Sequence, residues 1–389
     1  MVGDPKWWGE GDMVDINCRI RALMERLIAS GLETGLQAAA YFRGELVLDA
    51  WAGVADSSSK RPVDGDTLFC TFSTTKGITA TVIHLLAERG KLDYDDPIAK
   101  FWPEFAAHGK NRITIRHALT HTAGMPHMPE GVKPEDLCDW DKMCRWIADL
   151  SPLSEPGSQF MYHAMSFGWL LGEVARRADG RPIERIVQED LCTPLGITDL
   201  YFGIPDEAEQ RVALLEASPP SGPPPQLDPI WARIMPPELG PLHELVSKPD
   251  IRRAVLPGFG GIMNARSVAA LYASLAGASP SGIQLLSPER IREITRLKFD
   301  DKGGIIDEPM NRPLGYALGG PLSAMGDRLS AFGHGGYGGS LGFADTCYHF
   351  SFGLAKTLLS DRLAGEDTAY LIAREIRAAL GIPEKGEAV

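Results

Sequence analysis

The sequence predicts an α/β (α+β) fold: an antiparallel sheet flanked by helices, built from both chain ends, with a mostly helical lobe inserted between them. Three observations point there. Strand-type runs lie near the start, at 37–53, and again near the end, between Tyr316 and Leu359. Helical periodicity fills most of the chain between them. The 389 residues are 44% hydrophobic and 23% charged, ordinary values for a globular protein with ample core. On this reading residues 1–70 and 258–389 form a discontinuous sheet domain, and 71–257 the helical lobe.

Taken in order, Val14 to Ser30 places Ile16, Ile20, Leu23, Met24, Leu27 and Ile28 at helical spacing and stops at Gly31. Gln37–Phe42 and Glu45–Gly53 read as a hairpin turning at Gly44. Residues 54–67 are loop. Thr74 to Arg89 is a helix carrying Ile78, Val82, Leu85 and Leu86, with Gly90 as its stop. Asp93–Pro97 reads as a capped turn and Ile98–Phe105 as a short helix. Ile113 to Pro126 reads as a helix with a Gly/Pro end. Further helices are expected at Trp140–Leu150, Phe167–Ala178 and Pro182–Leu191. From Ser218 to Pro257 prolines replace periodicity (Pro219-Pro220, Pro223-Pro224-Pro225, Pro236-Pro237), which suggests a long ordered loop or lid over a site. Helices at Ser267–Ala276 and Pro288–Leu297 come after it. Strands are then expected at Tyr316–Gly319, Ala331–Gly335, Ser340–Asp345 and Tyr348–Leu359, with a closing helix at Asp367–Leu380.

Charge narrows the function. Lys and Arg number 39 against 51 Asp and Glu, a net charge of −12, which argues against nucleic acid or an anionic membrane surface as a partner. No apolar run is long enough to span a bilayer. Met1 to Asp15 is acidic and Trp-bearing, without the basic and apolar regions of a signal peptide. The 6 cysteines are scattered with no C-x-x-C, so a cytoplasmic protein without a disulfide framework is expected.

Ser73-Thr74-Thr75-Lys76 opens the Thr74 helix. A serine there sits among free N–H groups at the positive end of the helix dipole. Lys76, three residues on, shares its face, and an ammonium beside a hydroxyl is one way to activate a weak nucleophile. Ser73 is therefore the candidate nucleophile and Lys76 its partner. The pattern alone is weak, because Ser57-Ser58-Ser59-Lys60 repeats it. That second copy runs into Arg61-Pro62 within a Ser/Asp/Gly/Pro-rich stretch and reads as a solvated loop.

Four segments, in order, carry a resemblance: Phe72–Gly77, Gly90–Pro97, Thr114–Pro126 and Gly260–Met263. Together they resemble the serine β-lactamase, DD-peptidase and esterase superfamily in its class C-like branch, and most of all the family VIII carboxylesterases; S-x-x-K is one of that superfamily's signatures. The resemblance implies a β-lactamase/transpeptidase-like fold and a tyrosine facing the serine and lysine. Tyr162, in Glu155–Ala164, stands at the matching place. Free Tyr and Lys both titrate near 10, but an ammonium beside a phenol stabilises phenolate and burial weakens the lysine charge. Either group is thus able to take the serine proton, and Tyr162 is the expected proximal base with Lys76 as its electrostatic partner.

By the same resemblance, Phe332–Ser340 stands where lactamases carry K-T-G. Its glycines, Gly336 among them, would let substrate approach the strand. The oxyanion would lie between the N–H groups of Ser73 and Tyr337. His334 replaces the lysine that pairs with a β-lactam carboxylate, and Ala164 the asparagine that binds its amide. Both departures favour an uncharged ester.

The implied activity is that of a serine carboxylesterase acting on short- to medium-chain esters, needing no metal or organic cofactor. β-Lactamase, D-amino-acid amidase or peptidase and acyltransferase activities stay open on this scaffold, as does a binding protein without catalysis. Residues 218–257 and 126–140 are expected to wall the pocket, lined by Phe160, Tyr337 and Phe259. Two other patterns read as structural. Gly338–Gly342 matches the G-x-S-x-G elbow around Ser340, but Phe343-Ala344-Asp345 continues it as strand rather than helix. His117 and His121 have metal-ligand spacing on a predicted helix, but lack the glutamate of H-E-x-x-H. Physiological substrate and oligomeric state are not legible.

Overall fold

The computed structural model describes residues 10–218, 228–296, 313–360 and 365–386. Helix α1 (Glu10–Ala29) leads into the hairpin of β1 (Gly35–Phe42) and β2 (Glu45–Asp56). Every residue of β1 is buried, which is why it reads as a continuous apolar run. Its side chains alternate between two cores. Leu36, Ala38, Ala40 and Phe42 join Ile16, Ile20 and Met24 of α1, whereas Ala39 and Tyr41 face the larger core of the helical lobe.

The chain then turns through the short strand Arg61–Pro62 into α2 (Thr74–Glu88), and later into α3 (Ser166–Asp179) and α4 (Ala265–Leu275). The last third supplies β3 (Ala331–Gly335), β4 (Leu341–Asp345), β5 (Phe350–Lys356) and α5 (Thr368–Ala379). The main sheet runs Arg61–Pro62, β2, β1, β5, β4, β3, Ala317–Leu318, antiparallel throughout. β1 pairs with β5, so the two chain ends meet at the sheet's centre. α1 and α5 cover one face; α2 and α4 press on the other. α4 crosses β5 at Gly353, where a Cβ would come within 2.3 Å of the Ala265 carbonyl oxygen. A smaller sheet joins Phe69–Cys70, Gly261–Met263 and Leu200–Phe202. It delivers the chain to the start of α2.

Several elements differ from expectation. The predicted helix at Ile113–Pro126 is helical only over Ile115–Leu119, because Thr114 and His117 form a reciprocal N-cap and the chain leaves the helix at Thr120. His121 then takes φ 58°, so His117 and His121 do not share a helix face. Ile98–Phe105 splits into an α-turn at Ile98–Phe101 and a 3₁₀ segment beginning at Pro103, a residue suited to starting a helix but not to continuing one. The Pro-rich stretch is not simply loop. It carries short helices at Trp231–Ile234, Leu242–Leu245 and Pro249–Arg253, while Pro219-Pro220 and Pro223-Pro224-Pro225 lie outside the described residues. None of the described helices is long and apolar enough to cross a membrane.

Candidate active site

Ser73 is the N-cap of α2, yet its side chain makes no capping hydrogen bond. An N-cap serine ordinarily accepts from an N–H one turn on. Here the hydroxyl is left for Lys76, whose Nζ donates to Ser73 Oγ at 3.1 Å. The residue before the serine, Phe72, is buried at φ 44°, a left-handed conformation that is unfavourable for a bulky side chain and turns the backbone sharply into the helix.

Lys76 is fully buried, and its Nζ also donates to the carbonyls of Ala164 and Gly258, each at 2.6 Å. These two carbonyl acceptors fix the position of Nζ beside the serine. The same Nζ lies 5.0 Å from the Tyr162 ring centre and 5.7 Å from that of Phe167, within range of cation–π attraction. Ser73 and Lys76, one helical turn apart, are therefore brought into one cluster with Tyr162, which is distant in sequence.

Tyr162 has no helix or strand to hold it. His121 holds it instead. Its backbone carbonyl accepts from Met161 N–H at 2.9 Å and its Nδ1 accepts from His163 N–H at 3.1 Å, so both neighbours of Tyr162 are anchored to one residue. The His121 ring also packs on the Tyr162 ring at 4.7 Å. With Nδ1 accepting, the ring proton sits on Nε2. His163 is held by its own bonds to Met161 O and Met125 N–H, and burial pushes its pKa down to about 3. Sequence reasoning set His121 aside as a structural residue; its hydrogen bond with His163, beside Tyr162, joins positions 42 residues apart and leaves no local pattern.

The turn between β3 and β4 is pinned alongside the serine. Ser340 Oγ donates to Thr71 O at 2.8 Å and lies 3.2 Å from Thr74 Oγ1. A Cβ on Gly336 would come within 2.1 Å of Thr71 O, so only glycine allows this approach. Tyr337 sets its ring edge-on to Phe72 at 5.6 Å while remaining 58% exposed. Among the described residues, neither the Ser73 nor the Tyr337 N–H is engaged in a backbone hydrogen bond.

A cavity of ≈ 460 Å³ opens over Ser73, lined by Phe72, Tyr162, Ala164, Met165, Trp231, Met235, Leu242, Phe259, Ala317, His334, Gly335 and Tyr337. No Lys, Arg, Asp or Glu is among them. His334, on β3, is buried and its Nδ1 bonds the Gly335 carbonyl at 2.7 Å. Three expectations need correction. Gly335, rather than Gly336, faces the cavity, because Gly336 is turned onto Thr71. Phe160 is buried edge-on to His121 and does not line it. Residues 126–140 contribute no wall. The wall from the Pro-rich stretch is Trp231, Met235 and Leu242, which the sequence did not single out.

The remaining patterns resolve structurally. Gly338-Gly339-Ser340 runs into β4, not a helix, and its serine is spent on Thr71. The Ser57 copy lies in a turn where the Ser58 and Ser59 hydroxyls donate to Asp56. His117 caps its short helix, its Nδ1 accepting from Thr114 N–H at 3.1 Å.

A sheet with both termini at its centre, a helical lobe over one face and a serine–lysine pair at the junction define a serine hydrolase scaffold. The chain belongs to the beta-lactamase family, whose model matches residues 20–380. Among solved structures, it superposes on a family VIII carboxylesterase with a TM-score of 0.85, 34% identity, and coverage of 95% of this chain and 98% of that one. A penicillin-binding protein homologue from Caulobacter crescentus gives a TM-score of 0.85 at 32% identity, covering 94% and 98% of the two chains. In sequence, it is 32% identical over 342 residues to the esterase/beta-lactamase LipL of Mycobacterium tuberculosis, spanning 85% of this chain and 79% of that one.

Proposed function

We propose that the protein is a carboxylesterase that hydrolyses uncharged esters through an acyl-enzyme on Ser73. The observation that carries this reading is Lys76 Nζ, 3.1 Å from Ser73 Oγ, at the floor of a cavity with no charged side chain in its lining. Ser73 Oγ attacks the ester carbonyl as its proton passes to Tyr162. The Lys76 ammonium stabilises the tyrosinate and, with two carbonyls holding it, stays a donor throughout. The oxyanion forms between the N–H groups of Ser73 and Tyr337, a type of site in which one lost donor costs about 2.7–4 kcal/mol of barrier. Tyr162 returns the proton to the departing alcohol. Water then repeats the sequence on the acyl-enzyme and releases the acid.

The names of the relatives include both esterase and beta-lactamase. The uncharged lining favours the former, because a β-lactam carboxylate entering it would be desolvated with no cation beyond Lys76, whose Nζ is already engaged by Ser73 and two carbonyls. The test is turnover of an aryl ester by Ser73→Ala, Lys76→Met and Tyr162→Phe, with fluorophosphonate labelling of the wild type. Each variant is expected to lose roughly 10²-fold or more in kcat. Undiminished turnover by Ser73→Ala would overturn the assignment, and penicillin turnover exceeding ester turnover would overturn the substrate class.

A further inference from the structure

Beyond the cavity over Ser73 lies a second chamber of ≈ 430 Å³, and the two share Met165, Met235, Leu242 and Tyr337. Those four side chains are the partition between them. The far wall is built from Pro236, Pro237, Leu239 and Pro241. Three of these four have no backbone N–H, and Leu239 donates its own to Pro236 O at 3.1 Å within the turn. Gly240 likewise donates to Pro237 O at 3.0 Å. The wall therefore offers hydrocarbon and few donors, and neither chamber is lined by a charged residue. This gives Pro236, Pro237 and Pro241 a physical role: they let an irregular segment face an apolar ligand without stranding polar backbone groups. Met165 and Met235 are unbranched and adaptable, and Leu242 joins them, so the partition can yield to an inserted chain.

From this continuity we infer that the second chamber is a binding subsite for one long apolar arm of the substrate, reached from Ser73 past Met235 and Leu242. The inference rests on the esterase reading and sharpens it, from uncharged esters in general to esters carrying an extended hydrocarbon arm. Two cavities of this size together match the usual range for a small-molecule site, about 300–1,000 Å³. The arm belongs to either the acyl group or the alcohol; the chemistry is the same.

Two substrate series decide it. One is p-nitrophenyl acetate, butyrate, octanoate and dodecanoate; the other is acetate esters of ethanol, butanol, octanol and dodecanol. In one series kcat/KM is expected to keep rising beyond butyrate or butyl, by up to about three- to fourfold per methylene that enters the chamber. The series that rises identifies the arm. Leu239→Trp, which fills the chamber, is expected to lower the ratio of octanoyl or octyl to short-chain kcat/KM at least tenfold. Pro237→Trp, at an exposed position of the same wall, gives the same readout should Leu239→Trp fail to fold. Profiles that fall beyond butyrate and butyl in both series, or ratios unchanged in a folded wall variant, overturn the subsite. In either case Ser73→Ala tests the esterase reading separately: its loss of acetate turnover leaves that reading standing while the subsite falls.

Discussion

At the scale of single residues, the unusual feature is how much of the site is fixed by groups that never meet a substrate. His121 holds Met161 and His163 on either side of Tyr162 through its carbonyl and its Nδ1. Removing the ring leaves the buried His163 N–H without its acceptor, a loss of about 1–3 kcal/mol. It also releases Tyr162 from its packing partner. For His121→Ala we expect kcat to fall tenfold or more, with KM changed less. His121→Asn, which supplies an acceptor and tolerates φ 58°, should recover a measurable part of it. Steady-state kinetics on an aryl ester separate the outcomes, and an Asn variant no better than Ala would assign the effect to ring packing alone. Ser340 predicts differently. Its hydroxyl bonds Thr71 O and faces no base, so Ser340→Ala should cost about 1 kcal/mol of stability by urea unfolding and retain fluorophosphonate labelling at Ser73.

At the scale of elements, the position of Ser73 depends on how closely α2 approaches the sheet. Gly77, one turn into the helix, is the contact point: a Cβ there would lie 2.2 Å from the Tyr272 hydroxyl of α4 and 3.4 Å from His334 Cβ on β3. Alanine would favour the isolated helix by about 1 kcal/mol. Overpacking a fully buried contact costs about 1–3 kcal/mol, and Tyr272, buried and rigid, has little room to retreat. Packing wins, so Gly77→Ala is expected to lower stability by roughly 1–2 kcal/mol in urea and to reduce kcat by displacing the helix start. An unchanged urea midpoint would show that α2 is free to shift. Elements of this kind were legible in advance because their signals are local. α2 and β3 were read to within a residue or so from periodicity and glycine stops. The helices of the proline-rich stretch were not, since Trp231–Ile234 and Leu242–Leu245 are 4 residues each, too short for a 3.6-residue period to show. Which of their side chains face the cavity was illegible for the same reason. The helix predicted through His121 failed because a cap at Thr114 and the turn at Thr120 interrupt an otherwise suitable run.

At the scale of the whole molecule, three buried histidines make the fold sensitive to mild acid. His84 on α2 bonds Tyr94 Oη and the Leu314 carbonyl, and burial pushes its pKa down to about 3. His163 falls to about 3 for the same reason, with nearby His127 and Lys76 adding to the effect. Burial, aided by Arg233 and Lys110, lowers His127 to about 4. In the unfolded chain each returns to about 6.5. Below that pH the unfolded state binds protons that the folded state refuses, so stability rises with pH through the window and falls as pH drops. The slope approaches about 1.4 kcal/mol per pH unit for each histidine between the unfolded and folded values. Above pH 7 all three are neutral in both states and the contribution vanishes. Urea unfolding at pH 7, 6 and 5 should therefore show a steepening loss of stability, well above the range in which most carboxylates titrate. Replacing His84 by Gln removes one of the three titrations, so the variant, whatever its stability at pH 7, should lose less between pH 7 and 5 than the wild type. Equal losses in the two proteins would mean that His84 is protonated without unfolding, and that the tie between α2, Tyr94 and Leu314 opens to admit the charge.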